Sequence, residues 1–203
     1  MANNFINAIK TNISAEESAP TQVYYHATKK AIVIELDGAN KSSAGVSISV
    51  GIEDTSENGS ALTSLTISSA ANGTFTKTAH GLSVNDRVTI QLSAAPTIAS
   101  GSSDSTLSTT RRYFVQAKTT DTFHIAETRS ATIPIKFSNT GTLTSVTKHH
   151  FAEVVRQAPI PVGGALKVIS GQKLVLEDTD RLFVWCSSAS NVDAICSILE
   201  EVS

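Results

Sequence analysis

The chain has 203 residues, a formal net charge of −2 and 17% charged residues, compared with roughly 25% in an average soluble domain. Serine and threonine replace the missing charge and make up about a quarter of the sequence. This composition excludes a basic groove for nucleic acid, which needs clustered lysine and arginine, and a disordered chain, which combines low hydrophobicity with high net charge.

The first 20 residues carry apolar side chains at a spacing of four, at Phe5, Ile9 and Ile13. This spacing is compatible with a short amphipathic helix, and a strand or arm donated to a neighbouring subunit is the alternative. We expect no secretory signal here, because no basic region precedes a long apolar run. No stretch of the sequence approaches the ~18 apolar residues of a membrane span. We therefore interpret residues 1–20 as an N-terminal arm.

Strand patterns dominate the region that follows. Residues 31–40 (AIVIELDGAN) contain closely spaced aliphatic side chains and end in a turn-forming sequence. Residues 46–53 (VSISVGIE) alternate between aliphatic and small or polar side chains, which is the period of two of a strand with one buried face. We therefore predict two consecutive strands.

The region 54–148 is rich in serine, threonine, asparagine and glycine, yet it contains several short strand patterns of its own and a long polar loop at 94–110. Strand patterns of the first kind resume after it. A strand-rich block between two halves of another strand-rich pattern indicates an inserted domain, which a parent fold tolerates at an exposed loop with adjacent ends.

The C-terminal region contains short strand patterns at close spacing. In RLFVWC (181–186) and VDAICSIL (192–199) both alternation phases are apolar. Such strands are buried on two faces, with the domain interior on one side and, in one interpretation, a partner on the other. Trp185 is accordingly interpreted as a core or subunit-contact residue rather than as a platform for a sugar ring.

These patterns predict an all-β protein, with a β-sandwich or jelly-roll-like scaffold, an inserted small β-barrel domain and an N-terminal arm. The predicted segments are 1–20 for the arm, 21–53 plus 149–203 for the discontinuous scaffold, and 54–148 for the insert.

Residues that carry chemistry are scattered. His149 and His150 are adjacent, so a strand points them to opposite faces, and they cannot both bind one metal ion from it. Ser-His-Asp combinations are too numerous in a serine-rich chain to indicate a site, and the acidic residues cluster in predicted turns. We predict no catalytic, cofactor-binding or metal-binding residues, and no enzymatic activity.

Two further pairs of residues leave alternatives open. Cys186 and Cys196 flank a turn-like segment, which is compatible with a cross-strand disulfide; production in a reducing cytoplasm favours two separate buried thiols. Arg111 and Arg112 follow the long polar loop and open a strand pattern. A solvated start of that strand is the simpler interpretation, and recognition of an anion or a partner is the other.

The C-terminal run from residue 158 to 201 resembles small virion structural proteins of tailed bacteriophages, and residues 23–54 resemble the opening half of the same domain. The shared pattern is a proline-glycine turn, a strand, a Gly-x-Lys-hydrophobic hairpin, an Asp-x-Leu strand and a final strand ending in acidic residues. The matching positions are the strand 192–200 and Pro161, Gly163, Gly171, Lys173, Leu174, Asp180 and Leu182.

The insert is similar to a small β module that recurs in phage tail and surface proteins. Its hallmarks are His-Gly-Leu, Asp-x-Val, an aromatic pair followed by valine, and Asp-x-Phe. They lie at His80, Gly81, Leu82, Asp86, Val88, Tyr113, Phe114, Val115, Asp121 and Phe123.

The two resemblances imply a non-enzymatic virion component, made in the host cytoplasm and placed on the capsid or at the neck, tail or baseplate. Its partners would be copies of itself and other virion proteins, without nucleic acid, membrane or cofactor. We predict subunit contacts at Phe5, Ile9, Ile13, Phe183 and Trp185. A glycan-binding module for host adsorption, with weak glycan contact through the insert, is the alternative function.

Overall fold

The computed structural model of the protein describes residues 3–171 and 173–200. Positions 1, 2, 172 and 201–203, which belong to the predicted segments 1–20 and 149–203, lie outside the described residues. The described regular structure is entirely β, and no helix in this part of the chain is long and apolar enough to cross a membrane. The predicted all-β class is confirmed.

The described strands are, in chain order, β1 (Asn4–Lys10), β2 (Thr21–Tyr25), β3 (Ala31–Asn40), β4 (Val46–Asp54), β5 (Leu62–Thr63), β6 (Thr66–Ser69), β7 (Thr74–Thr76), β8 (Arg87–Ala94), β9 (Ile98–Ser100), β10 (Tyr113–Lys118), β11 (Thr122–Ala126), β12 (Lys136–Phe137), β13 (Thr142–Ile160), β14 (Ala165–Ile169), β15 (Leu174–Leu176), β16 (Arg181–Cys186) and β17 (Val192–Glu200).

The chain divides into two compact units. We call Met1–Glu16, Pro20–Glu57 and Phe151–Ser203 the scaffold unit, and Glu17–Ala19 with Asn58–His150 the insert unit. The long strand β13 contributes residues to both. The predicted boundaries, 21–53 plus 149–203 and 54–148, lie a few residues from these.

Two antiparallel sheets enclose the core of the scaffold unit, as in a β-sandwich. One sheet has the order β1-β17-β3-β14, with β15 also paired to β3, and the other has the order β2-β16-β4-β13. Fully buried aliphatic side chains from both sheets form one cluster, among them Leu36 of β3, Ile48 of β4 and Val184 of β16. The alternation predicted for residues 46–53 therefore does place one face of β4 in the core.

The first strand, β1, belongs to the scaffold sheet with the order β1-β17-β3-β14. β1 pairs with β17 along its whole length, from Asn4 opposite Glu200 to Lys10 opposite Ala194. Beyond it, Ile13 is fully buried and its N–H donates to the carbonyl of Val192 at 2.9 Å. The helix interpretation is wrong, because a spacing of four residues fits the two-residue period of a strand equally well. A separate N-terminal arm over 1–20 is not confirmed, since pairing and burial attach this segment to the scaffold.

The insert unit is built on an antiparallel sheet of short strands with the order β5-β13-β8-β10-β11-β7-β6, and β9 pairs with β12 beside it. Its core is aromatic: the rings of Phe75 and Phe123 stack at 5.0 Å, and Phe137 packs edge-on against Phe75 at 5.9 Å. Such ring pairs contribute about 0.5–1.5 kcal/mol beyond their area burial.

Candidate assembly surface

Phe5 and Ile9 lie on the outer face of β1. They are 71% and 61% exposed, among the most exposed large apolar side chains described. Side chains alternate along a strand, so Asn7 shares this face while Ile6 and Ala8 pack against the scaffold core. The chain by itself therefore leaves two large apolar side chains in water at a sheet edge.

The other three predicted contact residues are buried by the chain itself. Ile13 is 0% exposed, Phe183 2% and Trp185 7%. The Phe151 ring lies 6.0 Å from that of Phe183 and 6.2 Å from that of Trp185. Their burial requires no neighbouring subunit, so the structure assigns all three to packing within the scaffold unit.

Strand register extends the apolar surface from β1 across the sheet. Phe5 lies opposite Leu199 of β17, Leu199 lies opposite Ile32 of β3, and Ile32 lies opposite Val175 of β15. We call these four side chains the first apolar row. Val175 is 58% exposed, and a depression of about 260 Å³ is lined by residues of this row. Directly opposed side chains lie ~5 Å apart, so the row is continuous.

A second row runs parallel to the first and changes character along its length. Ile9 lies opposite Ile195 of β17, which is 48% exposed, and the next positions across the sheet are Asp37 and Lys167. The Lys167 ammonium donates to the carboxylate of Glu35. The outer face of the sheet is thus apolar near β1 and charged near β14.

The sequence signal for this surface was the apolar character of both phases in residues 192–199. The chain itself buries only the inner face of this strand, and Ile195 is half exposed on the outer face, so burial of that face by a partner stays a prediction. Ile32 and Val175 were not singled out, since their membership of the row depends on strand register, which the sequence does not reveal.

The potential metal ligands among residues 3–171 and 173–200 do not form a cluster. No three His, Cys, Asp or Glu side chains of these ranges converge as a metal site would require. The histidines make local hydrogen bonds instead: His149 Nε2 lies 2.8 Å from Thr89 Oγ1, and His124 Nδ1 lies 3.1 Å from the Asn72 carbonyl.

His80 of the predicted His-Gly-Leu motif holds a turn together. It is 4% exposed, and its Nδ1 accepts the Leu82 N–H at 3.0 Å. Its Nε2 therefore carries the proton and donates toward the carbonyls of Thr119 and Thr122, both at 3.2 Å. The ring also packs on Phe123 at 5.2 Å. Gly81 follows with φ +69°, a conformation that glycine adopts without strain.

The motif aspartates and tyrosine have similar structural roles. Asp121 Oδ1 accepts the Ala79 N–H at 2.9 Å, and Asp86 Oδ2 accepts the Ser83 N–H at 2.7 Å. Tyr113 is fully buried, its hydroxyl oxygen accepts the Ser108 N–H, and burial raises its pKa to about 12. These motif residues thus shape the loops and the core of the insert unit.

A buried ionic cluster joins the segment Glu17–Ala19 to the rest of the insert unit. The Arg87 side chain is 1% exposed; its guanidinium lies 3.7 Å from the Glu17 carboxylate and 4.7 Å from the ring centre of Phe114. The N–H of Arg129 donates to the same carboxylate at 3.2 Å, and the Arg129 guanidinium lies on Phe114 at 5.7 Å. Sequence reasoning missed this cluster, because Glu17 and Arg87 are far apart in the chain.

The pair Arg111-Arg112 contacts the same segment. Arg111 forms an ion pair with Asp104 and donates to Ser18 Oγ at 3.0 Å, while the N–H of Arg112 donates to the Ser18 carbonyl at 2.7 Å. The interpretation as a solvated start of a strand is therefore wrong for Arg111, whose side chain is only 11% exposed. Its partners belong to its own chain.

Both cysteines are free and buried. Burial raises the pKa of the Cys196 thiol to about 12, and the Cys186 Sγ lies 3.1 Å from the carbonyl of Ser188. The disulfide alternative is therefore not realised, and both thiols act as small buried side chains.

Comparison with known proteins gives no match: no protein family, no curated protein and no solved structure is similar to this chain at a significant level.

Proposed function

We propose that this protein is a non-enzymatic structural component of a tailed-bacteriophage virion, which assembles through subunit contacts on the capsid or at the neck, tail or baseplate. The observation that carries the proposal is the pair of apolar rows on the outer face of a regular sheet. Contiguous apolar patches on the surface of a soluble protein mark sites of interaction with other proteins.

The strand order of the scaffold unit supports this proposal. Its sheets, β1-β17-β3-β14 and β2-β16-β4-β13, have a strand order that we interpret as a jelly roll, in which most successive strands cross from one sheet to the other. Jelly rolls are common in viral coats and in lectins, so the fold alone gives an analogy and no more. The resemblance of residues 158–201 to phage virion proteins favours the first of these roles.

The sheet of the insert unit has end strands that are close together in the chain. The end strands of its sheet, β5 and β6, are separated along the chain by only Ser64 and Leu65. Two residues span at most about 10 Å between the strands they connect, so the ends of the sheet approach each other as in a partly open barrel. We propose that it is the phage-type β module, held by its own core and by Glu17–Ala19.

The geometry offers little to the glycan-binding alternative. Sugar platforms are exposed aromatic rings beside polar side chains, but Trp185 is 7% exposed, and the aromatic residues of the insert core, Phe75, Phe123, Phe137 and Tyr113, are all buried. Tyr25, at 41% exposure, is covered on one side by Arg181 at 5.2 Å, and Phe5, at 71% exposure, lies in the first apolar row opposite Leu199.

The test is the copy number of this chain per purified particle, measured by quantitative mass spectrometry against the major coat protein. Hundreds of copies indicate a capsid decoration, and about six or twelve indicate a ring at the neck, tail or baseplate. Absence from the particle overturns the proposal, and sugar binding by the free protein would then support the alternative.

A matched pair of variants tests whether the apolar rows mediate incorporation. We expect Val175→Asp, on the first apolar row, to lower the copy number at least tenfold. Val162→Asp changes the same residue type at nearly the same exposure, 59% against 58%, but lies in the turn between β13 and β14. Equal incorporation of the two variants would refute a role for the rows.

A further inference from the structure

The outer edge of β1 is an open sheet edge. β1 ends the order β1-β17-β3-β14, so within the described residues no strand pairs with its second edge. Natural proteins protect such edges with prolines, bulges, inward charges or covering loops, because an open edge templates pairing with another chain. β1 contains no proline, and its register with β17 is unbroken, so it has no bulge. Its one charged residue, Lys10, lies at the end of the strand.

The sequence of β1 is complementary to itself in antiparallel pairing. When two copies of NFINAIK are paired around Asn7, Phe5 lies opposite Ile9 and Ile6 lies opposite Ala8. Lys10 lies opposite Asn4, so no like charges face each other. Moving the centre of pairing to Ile6 or Ala8 keeps the faces matched but places Asn7 opposite Phe5 or Ile9. Pairing around Asn7 is therefore the register that matches apolar with apolar side chains.

We infer that β1 pairs with β1 of a second copy of this chain, antiparallel about a twofold axis at Asn7, and joins the two outer sheets into one. This pairing deepens the proposed assembly role and rests on it for its biological setting. A twofold contact uses the same surface on both copies, so one strand supplies both halves of the interface.

The apolar rows support a second copy as the occupant. In this register, Phe5 of one copy meets Ile9 of the other, so the first row of each copy continues into the second row of its neighbour. The joined strip reads Val175, Ile32, Leu199 and Phe5 from one copy, followed by Ile9 and Ile195 from the second. The charged residues Asp37 and Lys167 stay at the far end of each copy, away from the axis.

The sharpest test is a cysteine introduced at the axis. In the purified full chain, Asn7→Cys places two cysteines directly opposite each other, with Cα atoms ~5 Å apart and within disulfide reach. Phe5→Cys is the matched control, because its two copies lie about 14 Å apart in the same register. The native Cys186 and Cys196 are buried and contribute to neither product.

On mild oxidation we expect most of Asn7→Cys, and under a tenth of Phe5→Cys, to become a covalent dimer on a non-reducing gel. The double variant Phe5→Cys/Ile9→Cys should crosslink as well as Asn7→Cys, which also shows that substitution at Phe5 leaves β1 intact. Equal crosslinking of Asn7→Cys and Phe5→Cys overturns the pairing. Failure of Asn7→Cys to crosslink, or failure of the double variant to crosslink, also overturns it.

Repeating the oxidation on purified particles separates this pairing from the proposed function. A particle-borne Asn7→Cys chain that crosslinks to a different virion protein, or to nothing, refutes the self-pairing and leaves the virion role standing. A chain that dimerises in solution but is absent from particles refutes the virion role and leaves the pairing standing.

Discussion

The two units of this protein build their cores from different side chains. Among the described residues, the buried cluster between the scaffold sheets is mainly aliphatic and contains Tyr24, while Phe183 and Trp185 pack with Phe151 outside this cluster. The cluster of the insert unit contains Phe75, Phe123 and Phe137 with Tyr113, and a buried arginine lies beside it on Phe114.

This difference follows from strand length. The scaffold has long strands whose alternating Val, Ile and Leu side chains fill the space between two sheets. The short strands of the insert supply fewer inward positions, so large rings and side-chain hydrogen bonds must hold its loops. The fold of the scaffold therefore depends on the alternation of aliphatic side chains along its strands, and the fold of the insert depends on particular aromatic and hydrogen-bonding residues.

The largest expected effect is at the buried ionic cluster of the insert. We expect Arg87→Met to lower the free energy of unfolding by about 3–5 kcal/mol, because it leaves the Glu17 carboxylate without its buried guanidinium. Hydrogen exchange of insert peptides measures the loss. Fluorescence of Trp185, the one tryptophan in the chain, follows the scaffold in the same sample.

The control for this variant is Lys148→Met in the same unit. Lys148 pairs with Asp86 at 3.0 Å, but its side chain is 43% exposed, so we expect a loss below about 1 kcal/mol. Removing both charges with Arg87→Met/Glu17→Gln should recover part of the stability. Equal losses from Arg87→Met and Lys148→Met would show that the insert does not depend on this cluster.

A smaller effect is expected at Gly51, where an aromatic ring lies directly on the backbone of β4. A Cβ at Gly51 of β4 would overlap the Phe151 ring and lie 3.2 Å from the Ala152 carbonyl. We expect Gly51→Ala to cost about 1–3 kcal/mol by overpacking, measured by denaturant unfolding. Gly45→Ala is the control, since the nearest atom there is 3.9 Å away. Failure of Phe151→Leu to relieve the Gly51→Ala defect would contradict the steric explanation.

The smallest effect concerns acid stability of the scaffold. Hydrogen bonds from the Lys29 ammonium at 2.8 Å and the Tyr24 hydroxyl at 2.9 Å hold the pKa of the Glu200 carboxyl below its usual value of 4.5. A carboxyl whose pKa is lowered by folding stabilises the folded state above its unfolded pKa, and this contribution disappears as the pH falls through the folded pKa.

We therefore expect the stability of Glu200→Gln, relative to the native chain, to be lower at neutral pH, with the gap narrowing below about pH 4.5. Burial raises the pKa of Asp180, so its contribution to stability has the opposite pH dependence. Because Asp180 is present in both proteins, this contribution cancels in the difference between their stabilities. Glu57→Gln, at an exposed position, is the control. Parallel pH profiles for Glu200→Gln and the native chain would show that the buried carboxyl is not linked to acid unfolding.

Local pattern predicted much of the scaffold and little of the surface. The alternation of residues 46–53 correctly identified Val46, Ile48 and Val50 as core, because one strand face is a property of neighbouring residues. It did not predict that Ser49 and Glu53, on the opposite face, are buried as well. Their burial depends on which parts of the chain cover this face of the sheet, and the alternation of residues along one strand does not contain that information.

The candidate surface shows the same limit. Phe5 and Ile9 were found from their spacing, but Leu199, Ile32 and Val175 join them only through the pairing of four strands that are distant in the chain. Ile13 has the same spacing as Phe5 and Ile9, yet it lies beyond the end of β1 and turns into the core. Periodicity indicates which residues share a face, and only the tertiary fold decides what that face meets.

The chain ends of the insert have a consequence for the order of folding. The Gly59 N–H donates to the Lys148 carbonyl at 3.0 Å, and the His150 N–H donates to Asn58 Oδ1 at 2.8 Å, so the two ends of the long segment between β4 and β13 are joined within the insert. The insert also contains local pairs such as β6–β7 and β10–β11, whereas β1 must find β17 across nearly the whole sequence.

Local contacts form faster than distant ones. An insert that folds first has already closed this segment, at an entropic cost on the order of 4 kcal/mol for a flexible loop of that length. The folded insert then holds the end of β4 close to the scaffold part of β13, so few flexible residues separate the two strands when they pair. We therefore expect early closure of the insert to lower the entropic cost of pairing β4 with β13 in the scaffold.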